Sequence, residues 1–158
     1  MICYTQWMDE TKHSALFDAI NRRDDELLRI ILENHGYPQG AATHHGRTPL
    51  TQVACLGSAQ AVQLLLDHGA PIDQMDKDDD WPLQMAIWSE NEEATRCLLR
   101  NGADTDLSND AGLTCDGAAE DRFPQALAWL AEARAKRQAM QMDEATAKTV
   151  LAVKTPRL

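Results

Sequence analysis

The chain has 158 residues, 44% of them hydrophobic, and a net charge of −10, a composition suited to one soluble globular unit. No window approaches the roughly 18 consecutive apolar residues of a membrane span, and the acid excess argues against direct contact with nucleic acid, whose phosphates need clustered Lys and Arg. The N-terminus, "MICYTQWMDETK", lacks the basic start and apolar run of a secretory signal, so a cytoplasmic location is expected.

The charge is unevenly placed. Residues 67–121 hold 15 of the 25 acids and only Lys77, Arg96 and Arg100 as bases, a local charge of −12 against +2 for the remainder. Cys3, Cys55, Cys97 and Cys115 form no C-x-x-C pair and are expected to be reduced thiols, some of them buried.

In chain order, the first patterned segment is "SALFDAINRRDDELLRIILENHG" (14–36), in which "NRRDDE" (21–26) suits a polar outer face. Next, "GRTPLTQVACLGSAQAVQLLLDHGAPID" (46–73) aligns with "DDWPLQMAIWSENEEATRCLLRNGADTD" (79–106) at a constant offset of 33, pairing Pro49 with Pro82, Leu50 with Leu83, Leu65 with Leu98 and Gly69 with Gly102. The first segment follows the same frame, with Leu16 meeting Leu50 at 34 and Gly36 meeting Gly69 at 33. Pro49 and Pro82 sit where a first helical turn has no use for an amide hydrogen, and Thr48 can cap the helix behind Pro49. Val62, Leu65 and Leu66, like Leu98 and Leu99, line one helical face, and Gly69 and Gly102 supply the left-handed residue that ends such a helix.

After each glycine comes a short polar stretch with turn formers (Pro71, Asp73; Asp104, Asn109), suited to a hairpin-like finger. Two short helices and a finger enclose no core alone, so neighbouring units must stack. Downstream, "GLTCDGAAEDRFPQALAWLAEA" (112–133) keeps Gly112, Thr114 and Ala119 in frame but loses Pro and Leu. Pro124 then opens an Ala-rich helix over 124–148, with Leu127 and Leu130 inward and Arg134, Lys136 and Arg137 outward, followed by the tail "TVLAVKTPRL" (149–158).

At "GRTPLTQVACLG" and "VQLLLDHGAPID" the chain resembles the ankyrin repeat family, whose patterns are T-P-L-H-x-A-A-x-x-G and L-L-x-x-G-A-x-x-N/D, over roughly residues 9–133. The resemblance implies an all-α solenoid of stacked helix-turn-helix units with hairpin-like fingers and a long C-terminal capping helix. It implies a single domain over 1–148, with repeats at 9–43, 44–75, 76–108 and 109–148.

No catalytic constellation is visible, so no enzymatic activity and no cofactor are expected. Asp76, Asp78 and Asp80 alternate like the first ligands of a calcium loop, but Trp81 stands where that loop requires Gly and Ile87 where it requires Glu, so no metal site is expected. There is no nucleophile elbow and no phosphate-cradling glycine loop, and Cys55 and Cys97 fall within repeat helices. His35 and His68 precede helix-ending glycines, where a local hydrogen bond is expected. His44 and His45 are adjacent in a finger, which suits a partner contact better than a metal.

The resemblance also implies a concave binding surface built from fingers and from variable positions at the ends of the first helices. The finger positions are His44, His45 and Arg47, then Lys77, Asp78 and Asp80, then Asp110, Ala111 and Leu113, and the run from Asp76 to Asp80 is expected to lie at an exposed finger. The helix-end positions are Asn21 and Arg22, Cys55 and Leu56, Trp88 and Ser89, and Asp121 and Arg122; Cys115 and Asp116 depart from the family pattern. Trp129 is expected in the core. Trp81 replaces a capping Thr, and for Trp81 and Trp88 local packing and exposure to a partner are both open; exposed, they are the residue type most enriched at binding hot spots.

The expected function is a non-catalytic protein–protein interaction module, monomeric in isolation, whose acidic fingers and aromatics bind a basic protein partner. A bacterial immunity protein or antitoxin neutralising a nuclease-type toxin is one form of that function. A general ankyrin scaffold or adaptor with no inhibitory role is the alternative.

Overall fold

The computed structural model describes the backbone of residues 3–38, 40, 42 and 46–154, and the side chains of 13–38, 40, 42 and 46–146. Its helices are α1 (Cys3–Arg22), α2 (Asp25–His35), α3 (Pro49–Leu56), α4 (Ala59–Asp67), α5 (Pro82–Trp88), α6 (Glu92–Arg100), α7 (Cys115–Arg122) and α8 (Ala126–Lys154). Among the described residues there is no strand, only one isolated antiparallel bridge between Ser108 and Thr114.

The helix ends follow from local chemistry. Pro49 and Pro82 open α3 and α5. Asp24, Thr48, Ser58, Asn91 and Thr114 each accept an amide hydrogen from the first turn of the helix they precede, which satisfies donors that have no partner inside the helix. Trp81, ahead of α5, makes no such bond. Two of the caps also tie repeats together. Asn91 donates to the carbonyls of Ala54 (3.1 Å) and Gly57 (2.9 Å), and the Ser58 hydroxyl donates to Asp25 at 2.6 Å.

The helices pair as α1/α2, α3/α4, α5/α6 and α7/α8, and successive pairs stack in two layers, α1–α3–α5–α7 and α2–α4–α6–α8. The core runs through the whole stack: Leu16, Leu28 and Leu32, then Leu50, Val53, Val62 and Leu65, then Leu83, Ile87 and Leu98, and finally Ala118, Ala119 and Leu130, all buried. No repeat encloses these residues alone, so each is stabilised by apolar area lost against its neighbours.

The 33-residue frame is also written in the backbone. The finger turn needs a left-handed residue, supplied by Gly46 (φ 83°), Asp79 (φ 62°) and Gly112 (φ 75°). Asp79 is the exception, and Asp tolerates this conformation better than most residues because its short side chain can bond locally.

The C-terminal end departs from the sequence reading in two ways. The capping helix starts at Ala126 rather than Pro124 and continues past residue 148 to Lys154. Arg134 and Arg137, expected to point outward, fold back onto the base of the fourth finger, and only Lys136 remains exposed, paired with Glu132 at 2.7 Å. Trp129 sits half-buried at the core's edge, its ring edge-on to Phe123 with centroids 5.3 Å apart. No helix among the described residues is long and apolar enough to cross a membrane.

Candidate functional site

The third finger is organised by one carboxylate. Asp76 is buried, and its Oδ1 accepts the amides of Asp78 (2.9 Å) and Asp80 (3.0 Å) while its own N–H donates to the Asp80 carbonyl (3.0 Å). This corrects the expectation that the whole run from Asp76 to Asp80 lies on the surface: Asp76 builds the turn, and Asp78 stands exposed on it. Asn109, one repeat later, does the same work, its Oδ1 accepting the Leu113 amide at 2.9 Å. Asp80 is half-buried, and burial first, then the neighbouring Asp76 charge, push its carboxyl above the ordinary value.

Among the other finger positions, Lys77 is exposed and its amide reaches the Gly46 carbonyl of the preceding finger at 3.3 Å. Asp110 is exposed at the tip of the fourth finger, while Leu113 is half-buried, its carbonyl accepting from Gln84 at 2.9 Å. His44 and His45 lie outside the described residues.

The helix-end positions form a line of contacts from one repeat to the next. Gln52 donates to Asn21 at 2.9 Å. Arg47 reaches the Cys55 sulfur at 3.9 Å, and burial dominates and raises that thiol's pKa, with Ser89 and Arg47 acting in the opposite direction. Leu56 is half-buried at the end of α3, and Ser89 and Asp121 are exposed. Trp88 is half-buried against the core, and the Arg122 guanidinium lies 4.9 Å from its ring centre. Local packing and partial exposure thus coexist at Trp88.

Trp81 does something else. Its Nε1 donates to the Ser108 carbonyl at 3.3 Å, so the residue that gives up the cap of α5 braces the next finger. Sequence reading also passed over Gln52 and Gln84, whose partners lie 31 and 29 residues away. Their only signal was their place on α3 and α5.

The acids at the base of the fourth finger are neutralised from within. Arg134 bonds Asp106 (2.9 Å), Asp116 (2.8 Å) and the Thr105 carbonyl (2.9 Å); Arg137 bonds Asp104 (2.8 Å) and the Ala103 carbonyl (3.0 Å). Arg137's hydrogen bond holds the Asp104 carboxyl below its ordinary value. Asp73, which caps the Asp104 amide at 3.0 Å, is raised instead, chiefly by burial.

Comparison with known proteins decides the family, because a family model of ankyrin repeats, in three copies, matches residues 16–109, more than half of the chain. The chain belongs to the ankyrin repeat family. Its relatives include the mouse ankyrin repeat and SAM domain-containing protein 6, 29% identical over 107 residues that make up 67% of this chain and 12% of the relative. The rice potassium channel AKT1 is 40% identical over 58 residues, 37% of this chain and 6% of the relative. The Arabidopsis thaliana E3 ubiquitin-protein ligase KEG is 29% identical over 87 residues, 55% and 5% of the two chains. The chain therefore spans only a small fraction of the length of these ankyrin-containing relatives.

Ankyrin repeats are protein–protein interaction modules, and the family is generally non-catalytic. Burial raises the thiols of Cys55 and Cys97 and, with the adjacent Asp116 charge, pushes Cys115 up to about 12, so none is a ready nucleophile at neutral pH. Among the described residues no three His, Cys, Asp or Glu side chains converge as a metal site requires.

Proposed function

We propose that this ankyrin chain binds a basic protein partner through its third and fourth fingers and the inner ends of α3, α5 and α7, acting as a cytoplasmic monomer without catalysis. The division of the acids carries this reading. Asp104, Asp106 and Asp116 are held by Arg134 and Arg137, whereas Asp78, Asp110 and Asp121 are exposed and have no salt bridge among the described residues. Part of the available negative charge therefore sits on finger tips and inner helix ends, where it can steer a basic surface on approach.

Nucleic-acid enzymes need a basic cleft. Neutralising a nuclease-type toxin, as an immunity protein or antitoxin does, is one form this function takes. An adaptor role is the second reading, favoured by the matched relatives, in which the ankyrin segment is a small part of a longer protein.

Affinity capture from the native host, followed by association kinetics at several salt concentrations, tests the proposal. A partner with a basic surface is expected, with association slowing as salt rises. Asp78→Lys combined with Asp80→Lys should slow association and leave the melting temperature unchanged. A neutral partner bound independently of salt overturns the reading. Protection of cells from a basic nuclease separates inhibition from adaptor function.

A further inference from the structure

Two arginines in the described structure lie over tryptophans, and they differ in how they are held. Arg96 lies 4.2 Å from the Trp129 ring centre on the outer layer, and its Nε is fixed to Glu92 at 2.8 Å. Arg122 lies 4.9 Å from the Trp88 ring centre on the inner layer, is exposed, and has no carboxylate partner among the described residues. At the edge of the 67–121 segment, whose charge is −12, this guanidinium rests on an aromatic face rather than on an acid. Among the described residues the ring is its one recorded partner, so a competing cation can displace it.

We propose that the Trp88 ring is a receiving site for an arginine side chain of the partner, and that Arg122 occupies the position the partner's guanidinium takes in the complex. This rests on the reading of the inner face as a surface for a basic protein. The surroundings fit such a guest. Ser89, Glu90 and Asp121, beside Trp88 and Arg122 in sequence, are exposed, and Trp88 itself is braced against the core, so the ring is pre-positioned. Arginine suits the site better than lysine because its planar, weakly hydrated guanidinium stacks on an indole, while an ammonium keeps its water. Displacement of Arg122 frees it to swing into solvent at little cost, since it leaves no buried acid behind.

The test compares nona-arginine with nona-lysine, titrated calorimetrically into the full chain at low ionic strength, with the affinity ratio as the readout so that general charge attraction cancels. The native chain should favour nona-arginine by about two- to five-fold, the range of an exposed cation–π contact. Trp88→Leu should bring the ratio to one, Trp88→Phe should leave a smaller preference, and Arg122→Ala should raise the ratio. Circular dichroism checks the fold of each variant, and Trp88→Phe decides if the leucine variant does not fold. Equal binding of the two peptides leaves the acidic face standing and removes the arginine site, as does a preference that survives Trp88→Leu or a ratio unmoved by Arg122→Ala. Binding of neither peptide removes both.

Discussion

The third and fourth fingers are copies in one frame, yet their charges have opposite fates. Asp76 and Asn109 build the same turn, Asp79 and Gly112 take the same left-handed conformation, and Trp81 and Thr114 stand at the same cap position. The fourth finger leads into α7 and α8, and Arg134 and Arg137 of α8 reach its base; the third is followed by another repeat, and among the described residues no salt bridge holds its acids. Repeat register thus fixes where an acid sits, while the neighbour stacked on it decides whether that acid is available. The C-terminal helix both closes the core and silences the charge beside it.

The largest expected effect tests whether α8 is integral to the stack. Leu130→Ala removes a fully buried side chain and should cost about 2–5 kcal/mol in urea unfolding. Arg134→Ala should cost about 2 kcal/mol, because it leaves Asp116 without its cation, Asp106 with only Arg137 at 3.9 Å, and the Thr105 carbonyl without its donor. It should also make the fourth finger resemble the third, increasing the salt dependence of binding to a basic peptide.

At the turn itself, Asp76→Ala should cost about 1–2 kcal/mol by orphaning two amides, while Asp76→Asn should fold as well as the native chain, since Asn109 already holds the equivalent position. Asp79→Gly should be neutral or stabilise by up to about 1 kcal/mol, as glycine carries no penalty at positive φ. Equal loss of stability in the asparagine and alanine variants would break the equivalence of the two fingers.

The smallest effect is in titration. Asp80 is raised by burial, so its contribution to stability is present below the ordinary value and lost as pH rises through its folded pKa. Asp104 is lowered by Arg137, so its contribution is present above the ordinary value and lost as pH falls through its folded pKa. Carboxyl carbon shifts followed by NMR should show Asp80 taking its proton at higher pH than Asp104, and Arg137→Ala should narrow the gap.

Much of the fold was legible because its signals are local. Pro49, Pro82, Gly69 and Gly102 punctuate the helices, and apolar pairs such as Leu65 and Leu98 mark the buried face, each within a turn or two of chain. The candidate face was legible only in outline. Trp88 and Asp121 were reached through repeat register, but the brace from Trp81 to Ser108 spans 27 residues and the clamp from Arg134 to Thr105 spans 29. No local pattern encodes contacts at that range. Asp76 was misplaced because its sequence neighbours are acids and its true partners are backbone amides.

The sequence by itself determined the repeat period, the helix boundaries near Pro and Gly, and the concentration of acid between residues 67 and 121. Only the tertiary structure decided which of those acids meet solvent, that Arg134 and Arg137 turn inward, and that Arg122 covers Trp88. Capping and periodicity act along the chain over a few residues, whereas charge compensation depends on distance through space, and that is set when the repeats stack.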